Sequence, residues 1–169
     1  LITGELPTPA MTRLLDAVLV GFIDLGAAAS STLDARRAAR AGASVNGAVA
    51  TGILGLDRSG ALGVRACREL LDSGLDLAGT SMLFSSSATE LTEQLVQADT
   101  IPPPGFGHAS RAADPRATRL LQVAHELGFD AVYAQYLRAL EHALSRHPAL
   151  VDERLPVNMD GAIAAVCAD

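Results

Sequence analysis

Ile101–Arg119 reads IPPPGFGHASRAADPRATR, and it divides the chain into two helical blocks. Pro102, Pro103 and Pro104 fix φ and cannot continue a helix, so no helix runs through this point. Gly105 and Gly107 let the backbone turn tightly or come close to a bound ligand. His108 follows directly, with Arg111 three residues further on and Arg116 eight. A titratable ring and two guanidinium groups on a stiff loop are what a site for an anionic substrate requires. Asp114-Pro115 then reads as the cap and first residue of a new helix.

Working outward from this loop, the 169-residue chain is long enough for one hydrophobic core. It is 49% hydrophobic but only 4% aromatic, with Ala and Leu prominent. That composition favours helices packed through small side chains over a β-sandwich. A net charge of −6 argues against general binding to nucleic acid or an anionic membrane surface. The apolar run Ala17–Ile23 is too short to span a bilayer. Cys67 and Cys167 show no metal-ligand or CxxC spacing, and two buried thiols in a reducing cytoplasm are expected.

On the N-terminal side, Thr8-Pro9 reads as cap and first residue of a helix over Ala10 to about Leu25. Met11, Leu14, Leu15, Val18, Leu19, Phe22 and Ile23 fall on its apolar faces. Ser30-Ser31-Thr32 should cap a short Arg-rich helix, Leu33–Ala41, that Gly42 ends. Ala43–Leu56 is so poor in charge that a helix buried on most sides is expected. After Asp57–Gly60, a helix over Ala61–Asp72 should close at Ser73-Gly74. Gly79–Ser87 reads as a loop and Ala88–Ala98 as a short amphipathic helix.

Beyond the opening loop, a helix should run from Pro115 to about Leu127, with Gly128 as its stop. Another follows from Phe129 or Asp130 to near His147. A last apolar helix starts at about Ala162, after Asn158-Met159-Asp160-Gly161. No segment alternates with period two for long enough to make a strand. The expected fold is all-α.

Three segments of this chain resemble the citrate synthase family, which includes the citryl-CoA lyases. Pro104-Gly105-Phe106-Gly107-His108 with Asp114-Pro115-Arg116 is similar to its PGxGH…DPR signature. Leu155–Gly161, LPVNMDG, resembles its PNxD segment, and the N-terminal LPTPA…LLDA pattern resembles short bacterial lyase-like members. The resemblance implies a helical fold with a large and a small lobe, a homodimer and a CoA thioester as substrate, with no permanently bound cofactor. Residues 1–169 would be a single catalytic region, expected to be incomplete at both ends. The implied reaction makes or breaks a carbon–carbon bond between an acyl-CoA α-carbon and a keto-acid carbonyl, as in a citryl-type ester.

Carried over by position, Asp160 would remove the α-proton and His108 would exchange a proton with the carbonyl oxygen. Arg116 and Asn158 would hold substrate. Pro104, Gly105, Phe106, Gly107 and Arg111 would hold CoA. Two positions depart from the family pattern. Arg58 stands where synthases place the histidine of a GPLHGGA-like turn, and Leu25 replaces a second histidine in a DHG-like segment. Arg58 is expected to donate to the enolate oxygen in the missing imidazole's place, or else to pair with Asp57. These departures favour a lyase, or a synthase with a different carbonyl substrate. A member that binds CoA esters or a protein partner without turnover is the alternative.

The residues themselves carry part of this reading. Asp160 stands near a helix start beside the apolar run Ala162–Val166, where burial raises a carboxylate's pKa and the helix N-terminus lowers it. On local grounds alone a simple N-cap is the favoured reading, and the family resemblance turns it towards catalysis. Arg116 could pair with Asp114 instead of a substrate. The glycine loop lacks the GK[ST] of a phosphate-binding loop, and no metal-ligand cluster is present.

Overall fold

Threonine before a proline starts the first helix as local chemistry requires. In a computed structural model of the chain, Thr8 Oγ1 accepts from Met11 N at 3.2 Å and α1 runs over Pro9–Ile23. The structure describes residues 4, 6–23, 26–27, 29–56, 61–81, 83–107, 113–129 and 131–168, without the side chains of 61 and 62. Seven further helices follow: α2 (Ser30–Arg40), α3 (Val45–Leu56), α4 (Ala61–Ala78), α5 (Phe84–Gln97), α6 (Pro115–Glu126), α7 (Val132–Arg146) and α8 (Met159–Val166). A 3-10 turn, Gly79–Ser81, links α4 to α5. The only β-type pairing among the described residues is an isolated antiparallel bridge between Phe106 and Val157. The all-α expectation holds.

Helix α8 is short and buried almost all round, from Met159 through Gly161 to Val166. It packs against α4, α6 and α7. Tyr136, Leu137, Leu140 and Leu144 of α7 and Leu71 of α4 are fully buried in the same core. Phe84 meets the Tyr136 ring edge-on at 5.6 Å between centroids. Between α4 and α7, Tyr133 OH donates to Asp72 at 2.7 Å and Arg68 lies over the Tyr133 ring at 4.3 Å.

Five expectations are corrected. Ser73-Gly74 does not end α4, which continues to Ala78, because Gly74 is a notch. A Cβ there would collide with the Tyr136 phenol, and Gly79, at φ +54°, makes the turn instead. The serine-rich stretch after Gly79 is mostly helical, since α5 begins at Phe84, whose ring reaches the core. Ser30, Ser31 and Thr32 form the first turn of α2 and do not cap it. Ser31 is buried against α3.

The fourth concerns burial. Helix α3 hides only Ala48, Gly52 and Gly55, while Val45, Val49, Ile53 and Leu54 are exposed. Its small face lies close against α2, where a Cβ at Gly52 would be 3.1 Å from Ala35 Cβ. The branched side chains are therefore turned outward. Cys67 is buried as expected, but Cys167, just past the end of α8, is exposed.

Candidate active site

Two segments about fifty residues apart in the chain are stitched together by their backbones. Gly105 and Gly107 both adopt φ +84°, a region open to glycine, and turn the loop so that Phe106 pairs with Val157. Gly107 N donates to Pro156 O at 2.8 Å and Asn158 N to Gly105 O at 3.0 Å. The Asn158 side chain completes the joint. Its Nδ2 donates to the carbonyls of Phe106 and Gly107 at 3.3 and 3.1 Å, and its Oδ1 accepts from Gly161 N at 3.1 Å, capping α8. This geometry makes Asn158 a brace between loop and helix.

The close approach depends on missing side chains. A Cβ on Gly105 would collide with Cys67 Sγ and come within 2.9 Å of Gly161 Cα, and one on Gly161 would collide with the Gly105 carbonyl oxygen. Cys67 thus lies beneath the loop at the point where it touches α8. Burial, and then the charge of Asp160, push its thiol up to about 12, so it is protonated at neutral pH.

Asp160 follows the cap by two residues, and because Asn158 does the capping its carboxylate is not used for that purpose. It is half-buried, and its pKa is raised. Burial is the leading cause, the nearby Arg116 opposes it, and Asp114 adds to it. Its Oδ2 lies against the bare backbone of Gly63 in the first turn of α4.

Asp114 is 1% exposed and holds the start of α6. Its Oδ1 accepts from Arg116 N at 3.0 Å, so the expected cap is confirmed. The Arg116 guanidinium then folds back onto it, with Nε to Oδ1 at 3.1 Å and Nη2 to Oδ2 at 2.9 Å. This is the pairing that the sequence allowed for Arg116. Because that side chain remains about one-third exposed, a substrate carboxylate could still share its charge.

The structure therefore brings Pro104–Gly107, Asn158, Asp160 and Arg116 into one neighbourhood. Leu25, Arg58, His108 and Arg111 lie outside the described residues. Sequence reasoning missed Gly63 and gave Cys67 no place in the site. Their shared signal is a spacing of four, which puts both on one face of α4. A cleft of about 460 Å³ between α6 and α7, lined in part by Leu121, His125, Arg138 and Val157, does not include Asp160. The convergence of motifs on α8 locates the site better than the size of that cleft does.

Residues 1–169 match the family model for the citrate synthase C-terminal domain. No curated protein matches the chain. Among solved structures, it is similar to a citryl-CoA lyase from Hydrogenobacter thermophilus. The two are 28% identical with a TM-score of 0.77, over 98% of this chain and 61% of the lyase. A citrate synthase from Pyrobaculum aerophilum shares the fold at 23% identity and a TM-score of 0.73, over 98% of this chain and 40% of that one. The chain thus spans less than two thirds of either protein. With the family model matching from end to end and both motifs meeting at α8, the chain belongs to the citrate synthase family.

Proposed function

We propose that this chain carries citryl-CoA lyase-like or citrate synthase-like chemistry, acting on an acyl-CoA and a keto acid or on the citryl-type ester that joins them. The observation that carries the proposal is Asp160: half-buried, not needed as a cap, raised in pKa, and next to the loop and arginine of the family signature. In the synthetic direction Asp160 takes a proton from the thioester α-carbon. The C–H electron pair becomes an enolate that attacks the keto carbonyl, and His108 supplies the proton to the new hydroxyl. In cleavage the hydroxyl proton goes to His108, the carbon–carbon bond breaks, and Asp160 returns a proton to the released carbon. A raised pKa suits both duties, because it makes the carboxylate a stronger base and the acid easier to retain.

Arg116 neutralises a substrate carboxylate, and Arg111 with the Pro104–Gly107 backbone holds CoA. Arg58 donates to the enolate oxygen. Leucine at position 25 and arginine at 58 favour cleavage, or condensation with a carbonyl compound other than the usual keto acid. No described helix is long and apolar enough to cross a membrane. Two unpaired cysteines suit a reducing cytoplasm.

In deuterated water, acetyl-CoA should exchange its α-protons when mixed with the full-length protein. Asp160→Ala should slow that exchange by roughly 10²- to 10⁴-fold, the range for loss of a general base. Exchange unaffected by the substitution would sink the proposal. No exchange from the wild type, with CoA-ester binding retained, would identify a binding protein instead.

We also infer a homodimer, supported by the apolar side chains that α1 and α3 turn outward: Leu19, Ile23, Val45, Ile53 and Leu54 are all at least 60% exposed. Light scattering should find twice the chain mass for the wild type and a single chain mass for Ile53→Asp with Leu54→Asp. A monomeric wild type would refute the inference.

A further inference from the structure

At Gly63, in the first turn of α4, bare backbone faces Asp160, and this bareness is itself a structural device. Gly63 and Cys67 lie four residues apart on one helix face and meet the two halves of the site. Cys67 packs under Gly105 and Gly63 packs against Asp160. A Cβ at position 63 would be 3.2 Å from Asp160 Cγ and 3.7 Å from its Cβ, and would collide with Oδ2. The helix cannot retreat to make room without pulling Cys67, which is fully buried, out from beneath the loop. Any group at 63 must therefore displace the carboxylate.

We propose that Gly63 is a positioning residue for Asp160: its bare backbone sets where the carboxylate lies and keeps it shielded from water. This rests on the reading of Asp160 as the base at carbon. Among the described residues, the charged and titratable groups that bear on the same carboxylate are Arg116 and Asp114 at the start of α6 and Cys67 on α4. Arg116 and Asp114 set the local field. Gly63 sets the place.

Gly63→Ala in the full-length protein should slow α-proton exchange into acetyl-CoA at least tenfold while leaving its KM within twofold. The methyl group drives the carboxylate towards water, so the acid limb of the pH–rate profile should move to lower pH. A raised KM with unchanged kcat, or an acid limb that stays in place, would overturn the proposal.

A thermal-unfolding cycle tests the contact independently of activity. Gly63→Ala alone should lower the Tm. In an Asp160→Ala background it should raise the Tm, because the collision is gone and alanine's helix preference remains. A Tm loss that persists without the Asp160 side chain refutes the contact. If Gly63→Ala alone does not fold, a folded double variant supports the proposal and an unfolded one overturns it. A wild type without exchange activity would count against the assigned chemistry, while the thermal cycle would still judge the contact.

Discussion

The α2–α3 hairpin and the α4–α8 junction both depend on glycine-bearing helix faces, and they use them to opposite ends. In the hairpin, Gly52 and Gly55 let α3 lie close to Ser31, Asp34 and Ala35 of α2. The larger apolar side chains are then left outside, as Ile53 and Leu54 show. Along α4, Gly63 and Gly74 each receive a large group from elsewhere: the Asp160 carboxylate and the Tyr136 ring. One face brings two helices together and exposes an apolar surface. The other is a row of sockets in which the site and the core are seated. Small residues on a helix mark close approach, and what approaches is decided by the rest of the fold.

The contrast is sharpest where the loop meets α8, and the largest stability loss is expected there. Gly105→Ala must hold alanine at φ +84° and push its methyl group into Cys67 and Gly161. Strained φ and overpacking each cost about 1–3 kcal/mol, so a loss of roughly 2–6 kcal/mol is expected in urea unfolding. Cys67→Ala should recover part of the loss, since it removes the thiol but not the strain. A Gly105→Ala protein with wild-type stability would show that the loop is not seated as described.

Next in size is a matched pair of substitutions. Gly74→Ala puts a methyl group into a fully buried ring and should cost about 1–3 kcal/mol. Gly52→Ala meets Ala35 at 3.1 Å, a contact that a small shift between two helices relieves, and it gains about 1 kcal/mol of helix preference. It should therefore fall within about 1 kcal/mol of the wild type. Equal losses at the two positions would erase the distinction between socket and hairpin.

How much of this could be read from sequence differs between the same two regions. The Asp114-Pro115 cap, the proline-led loop and its two glycines depend on local chemistry, and the structure has them where the sequence placed them. The burial of α3 was misread because low charge reports how apolar a helix is but not which side is covered. The spacing of Ala48, Gly52 and Gly55 carried the answer, as a stripe for close approach. Gly74 has the local marks of a helix end, yet tertiary packing against Tyr136 overrides them. The spacing of four puts Gly63 on one face with Cys67 but does not say what that face meets, because its partner Asp160 lies almost a hundred residues later in the chain. For Asp160 the ambiguity was between cap and catalyst, and only the geometry of Asn158 assigns the capping elsewhere.

The smallest expected effect concerns what the socket costs the fold. Burial raises the Asp160 pKa above its ordinary value despite Arg116 nearby. Between the ordinary carboxylate pKa and the raised one, the folded state holds a proton that the unfolded state has released. Stability therefore falls as pH rises through that window, and the loss persists at neutral pH. This is opposite in sign to a carboxylate held by a salt bridge. Asp160→Asn keeps the shape, removes the titration and should unfold at a higher temperature than the wild type at neutral pH. The difference should shrink as the pH falls below the ordinary carboxylate range. A wild type that instead gains on Asp160→Asn as pH rises through this window would mean that Arg116 outweighs burial. Asp160 would then be a structural ion-pair partner, and α4 would seat it for stability, as it seats Tyr136.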